Sequence, residues 1–227
     1  MNNINENLEQ FFSRFKDKRF YKKKEIIIRA DDNPPGVFYL KEGYARLYTV
    51  SPNGQELTLN ILKPGGYFSM MWAIGNAQNT YYFEALTKLE LWRAPKEELL
   101  NFIREQPEVL FEFTRRILIG LDGLLGVVES LLFGNSYNKV ATALVTAAKR
   151  FGKKQTTGEI IIELPLTHQL IASLAGLTRE TTSLVMKEFE IGGILSAGKP
   201  FLTINNIEKL EKETLISKDQ QALPHVI

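Results

Sequence analysis

Residues 166–195 read LTHQLIASLAGLTRETTSLVMKEFEIGGIL, and their spacing decides how the rest of the chain is organised. Leu170, Ile171 and Leu174 recur at helical spacing behind Thr167, whose hydroxyl is placed to cap a helix. Ala172, Ala175 and Gly176 are small enough for another helix to pack closely, and Gly176 permits a sharp turn. Thr178 caps a second helix, in which Thr182, Val185, Met186 and Phe189 form an inward stripe while Arg179, Glu180, Ser183 and Lys187 point away. Two short helices joined by a glycine-containing turn, the second opening on exposed polar side chains, read as a helix-turn-helix. The plainer alternative for this pattern alone is a helical hairpin whose Arg179 and Glu180 are merely solvated.

A helix that reads the major groove needs donors and acceptors at its N-terminus, where side chains reach base edges and backbone N–H groups meet phosphate. Arg179 can bond a guanine edge twice and Glu180 can accept from a cytosine amino group. Gln169, Thr178 and Thr181 are candidates for phosphate contacts. The expected partner is therefore double-stranded DNA.

Composition neither demands nor forbids that partner. The 227 residues carry 28 basic and 26 acidic side chains, and the formal excess of +2 lies in residues 134–227, on the side of the helix-turn-helix. The length suits two modest domains. The chain has no cysteine, which removes disulfides, thiolate metal clusters, iron–sulfur centres and cysteine nucleophiles together. The start MNNINENLEQFF lacks the basic-then-apolar order of a secretory signal. The most apolar segment, Ile117 to Phe133, is broken by Asp122, Glu129 and three glycines, so no membrane helix and a cytoplasmic location are expected. No Gly-rich phosphate loop, metal-ligand cluster or nucleophile–base spacing occurs, so neither an enzyme nor a cofactor is expected.

Residues 4–17 read as a short helix with Leu8, Phe11, Phe12 and Phe15 on one side. The basic run Lys16 to Lys24 follows, open to phosphate, to acidic lipid or, more plainly, to solvent as a connection. From Phe20 to Ala94 short apolar runs alternate with turn signals at 31–36, 41–43, 52–54 and 64–66, the spacing of a sandwich or barrel. Pro107 opens a helix to about Phe133. In it Leu110, Thr114, Ile117, Leu121, Leu124, Val128 and Leu131 follow alternating steps of four and three, a heptad seam that predicts a two-chain coiled coil. Ile117, Leu121, Leu124, Val128 and Leu131 are the dimerisation candidates. Leu118, Leu125 and Leu132 fall beside the seam, placed to face the chain's own barrel. Gly120, Gly123 and Gly126 allow either close approach of a neighbour or deformation of the helix.

Residues 134–136 break this helix and serve as a hinge; Tyr137 to Phe151 forms the next, with Lys149, Arg150, Lys153 and Lys154 clustered at its end. Gly158 to Leu164 alternates as a strand, and Ile194 to Ile204 around Gly198, Lys199 and Pro200 reads as a hairpin, completing a winged helix-turn-helix. Lys199 at the wing tip is a further phosphate candidate.

This order of parts, together with LTHQLIASLAGLTRETTS and its Arg179-Glu180-Thr181 core, resembles the catabolite-activator/fumarate-nitrate-regulator (CRP/FNR) family of bacterial transcription factors over residues 20–205. The resemblance implies an α+β chain. Residues 1–106 would be an N-terminal cyclic-nucleotide-binding-type β-roll (jelly roll) with its leading helix, 107–133 the dimerisation helix, 137–205 a C-terminal winged helix-turn-helix, and 206–227 a C-terminal helix or tail. It implies a homodimer on a palindromic site, with Arg179 and Glu180 on bases, Gln169, Thr178 and Thr181 on phosphate, and exposed loops touching RNA polymerase. His168, Ser183 and Lys187 lie on the same DNA side, His168 as a polar neighbour of DNA rather than a metal ligand. Relatives place a second Arg where Leu184 stands here; Leu184 cannot read guanine but can pack on a thymine methyl.

Cyclic-nucleotide-binding relatives also carry a Glu for the ribose and an Arg for the cyclic phosphate. The corresponding stretches here are Phe68-Ser69-Met70-Met71 and 79–82, Asn-Thr-Tyr-Tyr, with neither charge. An unpaired buried phosphate costs several kcal/mol, so cyclic AMP is not expected. Phe68, Ser69, Met70, Met71, Trp72, Thr80, Tyr81 and Tyr82 are left to line a site for an uncharged or amphipathic effector, or simply to fill the roll. A competing reading keeps the roll as a metabolite sensor but has the winged helix bind protein instead of DNA.

Overall fold

The computed structural model describes residues 2–196, 198 and 201–215. Packing divides the chain into two units, one holding 1–50 and 58–117, the other 51–57 and the residues from 118 on.

In the first unit α1 (Asn2–Ser13) leads into two four-stranded sheets. One is ordered β1 (Lys18–Tyr21), β8 (Leu89–Ala94), β3 (Val37–Glu42), β6 (Tyr67–Phe68); the other β2 (Ile26–Ile28), β7 (Tyr82–Ala85), β4 (Ala45–Val50), β5 (Glu56–Leu62). Residues alternate faces along a strand, so the run Val37-Phe38-Tyr39-Leu40, buried throughout, serves two cores. Phe38 and Leu40 join Ile28, Leu62, Phe68, Phe83 and Leu91 in one cluster, and Val37 and Tyr39 join Leu8, Phe11, Phe12 and Trp92 in the other. The second cluster also receives α3 (Lys96–Glu105) through Leu99 and Ile103 and the start of α4 (Pro107–Phe133) through Val109 and Phe113. Gly43 turns β3 into β4 at φ +85°, where a Cβ would collide with the Lys88 carbonyl oxygen. Within the basic run Arg19 pairs with Asp17 at 2.7 Å and Lys18 with Glu90 at 3.4 Å, while Asp17 is shared with Arg93 of β8 at 2.6 Å. A one-turn helix, α2 (Met70–Ala73), carries no periodic signal and was not expected.

In the second unit α5 (Ser136–Phe151) begins with a reciprocal cap, Asn135 and Asn138 each bonding the other's backbone N–H. Four short strands follow the order β11 (Leu195–Ser196), β12 (Leu202–Ile204), β10 (Ile160–Ile162), β9 (Gly152–Lys154). β9 occupies residues that read as the basic end of a helix; Lys153 and Lys154 instead pair with Ile161 and Ile160 across a hairpin. α6 (His168–Ala175), α7 (Arg179–Ile191) and α8 (Ile207–Lys212) complete the unit. Lys199, Pro200 and the tail beyond residue 215, with His225, lie outside the described residues. Among the described residues no helix is long and apolar enough to cross a membrane.

Of the heptad positions of α4, Ile117, Leu121, Leu124 and Val128 each keep 40–49% of their surface in the single chain, whereas Leu131 is half-buried. Leu118, Leu125 and Leu132 are a correction. Read as facing the chain's own barrel, they are instead 52–70% exposed, while Gly123, Gly126 and Ser130 are buried.

Candidate nucleic-acid interface

Local capping builds the interface as read from the sequence. Thr167 Oγ1 accepts the Leu170 N–H at 3.1 Å, and Gly176 ends α6 in the left-handed region at φ +61°. Thr178 Oγ1 then accepts the Thr181 N–H at 3.2 Å and starts α7. Thr182, Val185, Met186 and Phe189 are buried beneath it, with Tyr137 of α5 against the Phe189 ring at 4.4 Å.

This leaves Arg179 and Glu180, the first residues of α7, exposed, with Leu184 and Lys187 also exposed further along the helix. Leu184 is 67% exposed, a large apolar side chain amid polar ones. Gln169 and His168 stand open on α6. The hydroxyls are more committed than the sequence suggested. Thr178 and Thr181 lie 3.0 Å apart, and Ser183 Oγ donates to the Arg179 carbonyl at 2.9 Å while touching His168 Nδ1 at 2.8 Å. Ser183 is therefore tied into the helix pair rather than held free for a base. Of the basic cluster at the end of α5, Lys149 pairs with Glu211 at 2.8 Å and Arg150 turns inward over the Phe151 ring, its guanidinium lowered to about 10 by burial.

The roll residues assigned to an effector are not gathered into one site. Phe68 sits between Phe38 and Phe83, ring centroids 5.0 and 4.8 Å away, within the core. Met70 and Trp72 pack on the other cluster, Met71 and Thr80 face solvent, Tyr81 is half-buried, and Tyr82 stacks on Tyr48 at 5.2 Å. The segment passes from β6 through α2 and a loop to β7, so residues close in sequence reach different surroundings. Ser69 is buried in a left-handed conformation at φ +72° with no partner for its hydroxyl among the described residues. Asn79 was missed. Its buried amide donates to the carbonyls of Arg29 at 2.8 Å and Tyr81 at 3.0 Å, so it pins two loops together. Among the described residues no group of His, Asp or Glu could hold a metal ion.

Fold and open helix face together define a class: a transcription regulator with a roll domain and a helix-turn-helix DNA-binding domain. Comparison with known proteins agrees in both halves. The cyclic nucleotide-binding domain family matches residues 18–106 and the Crp-like helix-turn-helix domain family residues 138–213. The transcriptional activatory protein AadR of Rhodopseudomonas palustris is 30% identical over 190 residues, 79% of this chain and 73% of that protein. The global nitrogen regulator of Synechocystis is 23% identical over 195 residues, 85% and 86% of the two chains. Among solved structures, a CooA mutant from Carboxydothermus hydrogenoformans superposes with a TM-score of 0.72 at 26% identity, covering 86% of each chain. A CRP/FNR regulator of Thermus thermophilus superposes at 0.68 and 24%, covering 87% of this chain and 97% of that one. The chain belongs to the CRP/FNR family of transcription regulators.

Proposed function

We propose that the protein acts as a cytoplasmic homodimer, joined along α4, that places two copies of α7 in successive major grooves of an inverted-repeat site. The observation that carries this reading is the exposure of Arg179 and Glu180 at the N-terminus of α7, above the buried stripe Thr182, Val185, Met186 and Phe189. Arg179 bonds guanine, Glu180 accepts from cytosine, and Leu184 contacts a thymine methyl. Gln169, Thr178, Thr181 and Lys187 hold the backbone, joined by Lys199 of the wing. Exposed loops of the roll or of the DNA-binding domain contact RNA polymerase.

Cyclic AMP is not the effector on this reading, although one relative, from Thermus thermophilus, is a cyclic AMP receptor protein. The Asn79 amide is spent on backbone carbonyls, and Phe68 fills the space between two other rings. Any effector of the roll is uncharged or amphipathic.

Selection of duplexes from a fragmented genomic library by the purified protein, followed by sequencing, tests the reading: an inverted repeat should be enriched. A folded dimer that enriches no duplex overturns it. In the same selection Leu184→Arg should change the preferred base at the pair facing that residue, and an unchanged preference refutes the thymine contact.

A further inference from the structure

His168 and Ser183 lie fifteen residues apart in sequence, on different helices, and the turn brings them to 2.8 Å. The hydroxyl has one hydrogen. Ser183 Oγ also sits 2.9 Å from the Arg179 carbonyl oxygen, in donating geometry. Both contacts are satisfied when Ser183 donates to that carbonyl and accepts from His168 Nδ1–H. The chain of bonds then runs from the ring through the hydroxyl to the backbone of the first residue of the reading helix. It fixes the imidazole plane and leaves Nε2 as the ring nitrogen turned to the outside, on a residue exposed to solvent. In the neutral ring with Nδ1 protonated, Nε2 is an acceptor and cannot bond a phosphate oxygen. Protonated, it becomes a charged donor at the edge of the face that carries Arg179 and Leu184.

We propose that His168 is a protonation-gated phosphate contact, so that duplex binding by this protein takes up a proton. The inference rests on the DNA-binding reading above. The charged groups on the elements around the ring are Glu163 on the connection preceding α6, and Arg179, Glu180, Lys187, Glu188 and Glu190 on α7, all exposed. The only other histidine of the chain is His225. Proton uptake on binding makes affinity rise as pH falls, and the gain disappears as pH rises and the ring must be charged at a cost.

The test is fluorescence anisotropy of a labelled duplex recovered by the genomic selection, with full-length protein between pH 8 and pH 6 at constant salt. The dissociation constant of wild type should fall about three- to tenfold over that range. Its salt dependence at pH 6 should be steeper by up to about 1.8 in the log–log slope, as each of the two subunits neutralises one more phosphate. His168→Gln should bind without this pH dependence, and His168→Lys should bind tightly at both ends of the range. His225→Gln should behave as wild type, and Ser183→Ala, which frees the ring, should weaken the dependence. A wild type that binds its site with equal affinity at pH 6 and pH 8 overturns the proposal while leaving the DNA-binding reading intact. So does a His168→Gln protein that keeps the pH dependence. Failure to bind any selected duplex at either pH overturns both.

Discussion

Truncating the seam of α4 offers the most direct test of the proposed dimer. Leu121 and Leu124 are 49% and 45% exposed in the single chain, so about half of each side chain is available to a partner. Complete burial of a leucine contributes about 1.5–3 kcal/mol. Half of that, counted over the four copies a twofold interface brings together, is about 3–6 kcal/mol. Alanine retains a little of this area, so Leu121→Ala with Leu124→Ala should weaken association by about 2–5 kcal/mol, raising the dissociation constant about thirtyfold to several thousandfold. Sedimentation equilibrium over a wide concentration range reads this directly, with circular dichroism confirming that helix content is kept. The exposed row Leu118, Leu125 and Leu132 widens the stripe beyond a narrow heptad seam, so Leu118→Ala with Leu125→Ala should weaken the dimer comparably. A 121/124 double variant whose association stays within about threefold of wild type would refute the reasoning, since these areas are too large to lose without effect.

Arg179→Lys keeps the charge but loses the two-pronged guanine contact, so it should cost about 1–3 kcal/mol on the selected site while leaving the salt slope unchanged, both read by anisotropy titration. Asn79→Ala removes the donor that serves the Arg29 and Tyr81 carbonyls and should destabilise the roll by about 1–3 kcal/mol in urea denaturation. Arg115, with Arg116 adding to it, holds the Glu112 carboxyl down to about 2 against its partial burial. Because the folded-state value is depressed, this contribution is present at neutral pH and is lost as pH falls from the ordinary carboxylate range near 4.5 through about 2. Glu112→Gln should therefore lower the urea midpoint at pH 7, and the gap to wild type should narrow below about pH 4.5 and close only below about pH 2.

What the sequence determined by itself was local or periodic. Thr167, Gly176 and Thr178 specify two capped helices because each cap acts on backbone within three or four residues of itself, and the stripe from Thr182 to Phe189 follows from helical geometry alone. The same logic located the strands of the roll and the ends of α4. Tertiary structure decided what depends on packing between distant residues. It decided which positions of α4 are buried, Gly123 and Gly126 rather than Leu118 and Leu125. It scattered Phe68 to Tyr82 over different surroundings, because the segment passes from β6 through α2 and a loop to β7. It gave Asn79 the Arg29 carbonyl from a loop about fifty residues away and brought His168 to Ser183. Such pairings leave no periodic trace in a single chain, because a hydrogen bond between separate elements depends on where the fold places two backbones and not on the residues that flank either one.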